Sequence, residues 1–142
     1  MTTLSPRLQE VVDALPLRPG MRVLEVGGAP GAAARAVAAH VGAAGHVLVL
    51  DRSATGIRQI QQNCRAEIAA GTLSVLQAPV EDFALPDGVA PFDLAFACRV
   101  GALDGRHPQL YGAALANLRR AVKPGGALYV DTGSPLTAIS LD

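Results

Sequence analysis

The sequence predicts an α/β fold: an open, doubly wound sheet of about five parallel strands with helices on both faces. Three observations carry this. Short, continuously apolar runs such as Val47-Leu48-Val49-Leu50 suit strands buried on both faces, because a half-exposed strand would alternate. Stretches with amphipathic helical spacing stand between these runs, the pattern of βαβ units joined by right-handed crossovers. Prolines and glycines, at Pro19-Gly20, Gly27-Gly28 and Pro124-Gly125-Gly126, separate the two kinds of segment.

Each element follows from its residues. Ser5-Pro6 supplies an N-cap and a first helical residue, and Leu8, Val11, Val12 and Leu15 then keep helical spacing until Pro16. Arg22 to Val26 reads as the first strand, breaking into Gly27-Gly28-Ala29-Pro30-Gly31 and an alanine-rich helix to Val41. Val47 to Leu50 is the second strand and ends in Asp51. Ser53 caps one helix that carries Ile57, Ile60, Cys64 and Ile68 on one side. Leu73 to Leu76 is the third strand, and Pro79 to Pro91 a loop. Phe92 to Cys98 is the fourth strand, followed by a helix bearing Leu110, Ala114, Leu115, Leu118 and Val122. Ala127 to Val130 is the fifth, and Leu136 to Leu141 can add at most one short strand.

The chain's 142 residues suit a single domain, read as an N-terminal helix (1–16), a core (17–131) and a short tail (132–142). Half the residues are hydrophobic and 17% charged, which excludes a disordered chain. Twelve basic and twelve acidic residues balance, and eleven of the basic ones are scattered arginines. A nucleic-acid partner is therefore not expected, for lack of a basic patch. Met1-Thr2-Thr3-Leu4-Ser5-Pro6 lacks the features of a secretion signal, and no apolar run spans a bilayer. A cytoplasmic location without membrane contact is expected. Cys64 and Cys98 are too few for a disulfide scaffold and form no zinc motif, so no metal is expected.

A sheet of this kind binds ligands at the carboxyl ends of its strands. Two features fall there. The glycines of the turn after the first strand let backbone approach a ligand closely and open onto a helix N-terminus. Asp51 ends the second strand, 20 residues beyond Gly31, where a carboxylate can accept hydrogen bonds from the vicinal hydroxyls of a ribose. The same glycines suit a tight turn without a ligand, and the same aspartate suits a helix-capping acid.

Four stretches together resemble the class I S-adenosylmethionine-dependent methyltransferases. Val23-Leu24-Glu25-Val26-Gly27-Gly28-Ala29-Pro30-Gly31 is similar to the family's acid-x-Gly-x-Gly-x-Gly motif, with Ala29 at the middle glycine. Val47 to Ser53 is similar to the strand whose last acid holds ribose, and Phe92 to Ala97 to the fourth-strand motif. Leu118-Arg119-Arg120-Ala121-Val122-Lys123-Pro124-Gly125-Gly126 resembles the Arg-x-Leu-Lys-Pro-Gly-Gly segment.

The resemblance covers roughly residues 17 to 131 and implies a Rossmann-like sheet of order 3-2-1-4-5, here without the family's usual last two strands. It implies S-adenosylmethionine as cofactor and S-adenosylhomocysteine as product. Glu25 would face the methionine end, with Gly27, Gly28 and Gly31 beneath it. Asp51 would hold the ribose, Arg52 flank the adenine, and Ala97 and Cys98 lie near the methyl donor. Pro79 stands where the family often has an acid for the adenine amino group; the Val80 N–H remains for adenine, and Glu81 or Asp82 can stand in for the acid.

The acceptor expected is a small molecule. His107, in the loop after the fourth strand, is a candidate base, but the favoured reading is an exposed loop histidine ahead of Pro108, and no catalytic residue is assigned. Tyr111 and Tyr129 suit packing, and His40 and His46 lie at the far ends of their elements, as surface residues. With only 11 residues after Asp131, the fifth strand is expected as an open edge, covered by a homodimer or protein partner. Two alternatives stay open. One is a non-catalytic cofactor-binding or scaffold domain. The other is an NAD-dependent oxidoreductase, whose glycine fingerprint would have to fall on Gly27, Ala29 and Ala32.

Overall fold

The computed structural model describes residues 3–142; Met1 and Thr2, the start of the stretch read for a secretion signal, lie outside them. The Ser5 hydroxyl accepts from the Leu8 N–H at 3.2 Å and caps α1 (Pro6–Ala14). The chain continues through β1 (Arg22–Val26), α2 (Ala32–Val41) and β2 (His46–Asp51). It goes on with α3 (Ala54–Asn63), α4 (Arg65–Ala69), β3 (Leu73–Gln77) and β4 (Leu94–Ala97). A 3-10 turn at Pro108–Leu110 leads into α5 (Tyr111–Ala121), then β5 (Ala127–Val130) and β6 (Thr137–Ser140).

The strands form one sheet in the order β3-β2-β1-β4-β5-β6. The first five run parallel, with β1 between β2 and β4. The apolar strands serve two cores, because successive residues point to opposite faces. On one side Val23, Val47, Val49 and Phe96 pack with Val11 and Val12 of α1 and Val37 and Val41 of α2. On the other, Leu24, Val26, Leu48 and Leu50 pack with Leu115 and Leu118 of α5. This is why β1 and β2 are apolar without alternation.

Three expectations are corrected. The sheet has six strands, not five: β6 pairs antiparallel with β5, so the chain itself covers the edge for which a partner was expected. The reversal is tight at Gly133, where an added Cβ would overlap the Leu136 carbonyl. Thr132 Oγ1 and Thr137 Oγ1 meet across it at 3.0 Å. The single helix expected after Ser53 is two helices, broken at Cys64 (φ −110°, ψ 25°) where its thiol packs onto Gly31 and points at the Gly31 carbonyl, 3.6 Å away. The fourth strand is shorter than Phe92 to Cys98. Phe92 makes an isolated bridge with Val122, and beyond Ala97 the backbone turns left-handed at Arg99 (φ +56°).

Candidate functional site

Strand parity sets the chemistry at the carboxyl end of β1. Glu25 faces the α1/α2 side and is 3% exposed. Among the described residues its Oε1 has no hydrogen-bond partner. Burial, and secondarily the charge of Asp51, pushes the Glu25 carboxyl from the ordinary 4.5 up to about 8. The glycine turn lies against this group. A Cβ on Gly28 would sit 2.8 Å from the Glu25 carboxyl and overlap Val49, so glycine is required there by close approach. Gly27 takes φ +72° and donates to the Leu50 carbonyl at 2.6 Å, while Gly31 caps α2 at φ +111°.

Asp51 does part of what a capping acid would do. Its Oδ1 accepts from the Ser53 N–H at 2.9 Å and its Oδ2 from the Ala29 N–H at 3.1 Å. The carboxylate thus ties the glycine turn to the start of α3. With about two acceptor sites per oxygen, it retains capacity for two further donors, the number a ribose diol offers.

Two cavities flank the end of β1, one on each face of the sheet. The first, of about 300 Å³, includes Gly27, Asp51, Arg52, Pro79, Val80, Glu81, Arg99, Arg106 and His107 in its wall. The second, of about 470 Å³, lies beneath α1 and is walled by Leu8, Val11, Glu25, Gly27, Gly28, Cys98, Arg99 and Asp131, among others. Gly27 and Arg99 are common to both. The structure therefore divides the expected site residues, with Asp51, Arg52, Val80 and Glu81 on one side and Glu25, Gly28 and Cys98 on the other. Gly31 and Ala97 wall neither; Ala97 is fully buried in β4.

Burial, with the charges of Asp131 and Glu25 adding to it, pushes the Cys98 thiol up to about 12, so it is no thiolate nucleophile. His107 is exposed at the rim of the smaller cavity, its ring over Gly101. His46 is half-buried rather than superficial, bonded to the Gly71 carbonyl at 2.9 Å and Ser74 Oγ at 2.7 Å, and it starts β2 at the end away from the cavities.

Sequence reasoning missed Arg7, Arg99, Arg106 and Asp131. Asp131, directly after β5, takes Arg7 Nη2 at 2.8 Å and the Arg99 N–H at 3.1 Å on one oxygen. The rule that ligand residues follow parallel strands could have flagged Asp131 and Arg99; nothing in the sequence points to Arg7. Conversely, the Lys123-Pro124-Gly125-Gly126 segment lies at the opposite end of the sheet and braces it. Lys123 Nζ reaches Asp93 Oδ1 at 2.9 Å, and Asp93 Oδ2 accepts from the Arg22 N–H at 2.8 Å. Among the described residues no helix is long and apolar enough to cross a membrane.

Comparisons place these features in a family. The family model described as "Methyltransferase domain" matches residues 23–126. A ubiquinone/menaquinone biosynthesis C-methyltransferase (UbiE) of Ectopseudomonas mendocina is 31% identical over 126 residues, covering 86% of this chain and 47% of that protein. The UbiE of Vibrio cholerae is 29% identical over 119 residues, with coverage of 84% and 44%. The chain spans less than half the length of these relatives.

Among solved structures, a SAM-dependent methyltransferase from Aquifex aeolicus superposes with TM-score 0.69 at 22% identity, covering 87% of this chain and 62% of that one. One from Thiobacillus denitrificans in complex with S-adenosylhomocysteine gives 0.67 at 20% identity, covering 89% and 48%. The family match spans the glycine turn, Asp51, β4 and the Lys-Pro-Gly-Gly segment, and the sheet has the order 3-2-1-4-5 plus one antiparallel strand. The chain belongs to the class I S-adenosylmethionine-dependent methyltransferases.

Proposed function

We propose that this chain transfers a methyl group from S-adenosylmethionine to a small-molecule acceptor. The observation that carries the reading is the Glu25 carboxyl, buried, partly unpartnered and held against a glycine that no side chain can replace. A buried acceptor atom without a donor is costly unless a ligand completes it. The ammonium of the methionine end is a donor of the required kind.

When bound, the cofactor supplies an electrophilic methyl group on a sulfonium and departs as the neutral thioether S-adenosylhomocysteine. The chain's own residues bind and orient. Asp51 accepts from the ribose hydroxyls while keeping its two backbone bonds. The Val80 N–H meets the adenine ring, and its carbonyl is fixed by Asn117 Nδ2 at 3.0 Å. Arg52 flanks the base, and Glu81 replaces the acid missing at Pro79. Gly27, Gly28 and Gly31 shape the backbone beneath the methionine portion, and Cys98 lies in the wall toward the methyl donor, with Ala97 buried behind it. Methyl transfer gains mainly from alignment, since a general base matters only when the acceptor must lose a proton.

The small-molecule acceptor is part of the proposal and rests on the balanced, scattered charge of the chain. With β5 covered, a homodimer or other protein partner can extend the sheet only along its outer strands, β6 or β3. The test is an acceptor screen with methyl-labelled S-adenosylmethionine, reading S-adenosylhomocysteine release. Release that depends on an added small molecule and falls at least about tenfold in Asp51→Ala supports the reading. Release only with nucleic acid or protein acceptors overturns the choice of substrate class.

A further inference from the structure

Arg99 is the only non-glycine residue with positive φ among the described residues. Side chains rarely adopt that conformation, and where they do, the surroundings hold them in it. Here both flanking peptide groups are clamped. The Arg99 N–H donates to Asp131 Oδ2 at 3.1 Å, and the Arg99 carbonyl accepts from Arg106 Nη2 at 2.8 Å. Each clamp is itself anchored: the Asp131 carboxylate, 6% exposed, also binds Arg7 at 2.8 Å, and Arg106 Nε binds Asp104 at 3.0 Å.

The clamps engage only the Arg99 backbone. Among the described residues, Arg7, Arg35, Arg106 and Lys123 each pair with an acid, whereas the Arg99 guanidinium pairs with none. Yet Arg99 walls both cavities. In the larger one Arg7 and Asp131 offset each other, and the raised Glu25 carboxyl is mostly neutral at pH 7. One uncompensated positive charge remains, that of the exposed Arg99 at the edge of a cavity whose walls include Leu8, Val11, Ala33 and Cys98.

We propose that Arg99 selects the acceptor, its guanidinium fork pairing with the carboxylate of a small, apolar-bodied acid seated beneath α1. A guanidinium matches a carboxylate in two parallel hydrogen bonds, which fixes orientation as well as charge. The proposal rests on the methyltransferase reading and adds the class of its substrate.

The test uses benzoate as probe and benzamide as its uncharged counterpart, titrated calorimetrically into the chain with and without S-adenosylhomocysteine. Arg99→Asn keeps a residue that tolerates positive φ, and Arg99→Lys keeps the charge without the fork. The expected result is benzoate affinity about tenfold weaker in Arg99→Asn and partly restored in Arg99→Lys, with benzamide unaffected. Affinity for S-adenosylhomocysteine should change less than about threefold. Equal benzoate affinity in all three proteins, or none in the parent chain, overturns the proposal. So does a tenfold loss of S-adenosylhomocysteine affinity in Arg99→Asn, which would assign the guanidinium to the cofactor. Failure of the parent chain to bind S-adenosylhomocysteine at all overturns the methyltransferase reading instead, while the titration without it still reads the acid subsite.

Discussion

Glu25 stores a conflict between folding and binding. Its carboxyl sits among apolar side chains with one oxygen unpartnered, and burial raises its pKa from 4.5 to about 8. The folded state therefore holds a proton that the unfolded state releases at lower pH. Between these values the native chain binds more protons, so stability falls as pH rises from about 5 to 8. Thermal melts across that range should show this decline in the parent chain and a flatter profile in Glu25→Gln. Gly28→Ala places a methyl against the same carboxyl and should cost about 1–3 kcal/mol in denaturant melts, the range for overpacking, along with cofactor affinity.

Residues of this kind were legible in the sequence because their types are constrained by position. Glu25 and Asp51 end or nearly end apolar strands, where a carboxylate is otherwise out of place. Arg99 was not legible, since its interest lies in a backbone conformation and a missing partner, neither of which residue order encodes.

Among the elements, the parallel strands were readable because two cores demand unbroken apolar runs. β6 was less so. Thr137, Ala138 and Ser140 are exposed, and the strand is held by β5 pairing and by its ends rather than by an apolar face. Leu141 is 6% exposed in the core beyond it, and Asp142 Oδ1 accepts from the Gly125 N–H at 2.9 Å. A chain shortened after Asp131 loses both contacts and bares the β5 edge. Size-exclusion chromatography should then show association or aggregation, which the full chain does not show to the same extent. The break between α3 and α4 escaped the sequence because Ile57, Ile60, Cys64 and Ile68 keep helical spacing across it. The Cys64 contact with Gly31, 33 positions away, decides the matter, and no local pattern reports it. α1 answers to a similar distant tie, Arg7 to Asp131. Asp131→Ala should cost about 1–3 kcal/mol by removing an acceptor from two donors, and should loosen α1 in hydrogen exchange.

At the scale of the molecule, the candidate site comprises two cavities that meet at Gly27 and Arg99, one walled by Asp51 and the other by Glu25. A ligand with a nucleoside at one end and an amino acid at the other is the shape that uses both. Residue patterns announced the two ends separately, through the glycine turn and Asp51, but not their division between two cavities. The central claim is therefore that one cofactor engages Glu25 and Asp51 together. The most direct measurement is calorimetric titration of S-adenosylhomocysteine, with NAD as control, into the parent chain, Glu25→Gln and Asp51→Ala. The account predicts single-site binding of S-adenosylhomocysteine, no binding of NAD, and at least about tenfold weaker affinity in each variant. Binding that responds to one variant and ignores the other, or preference for NAD, would contradict it.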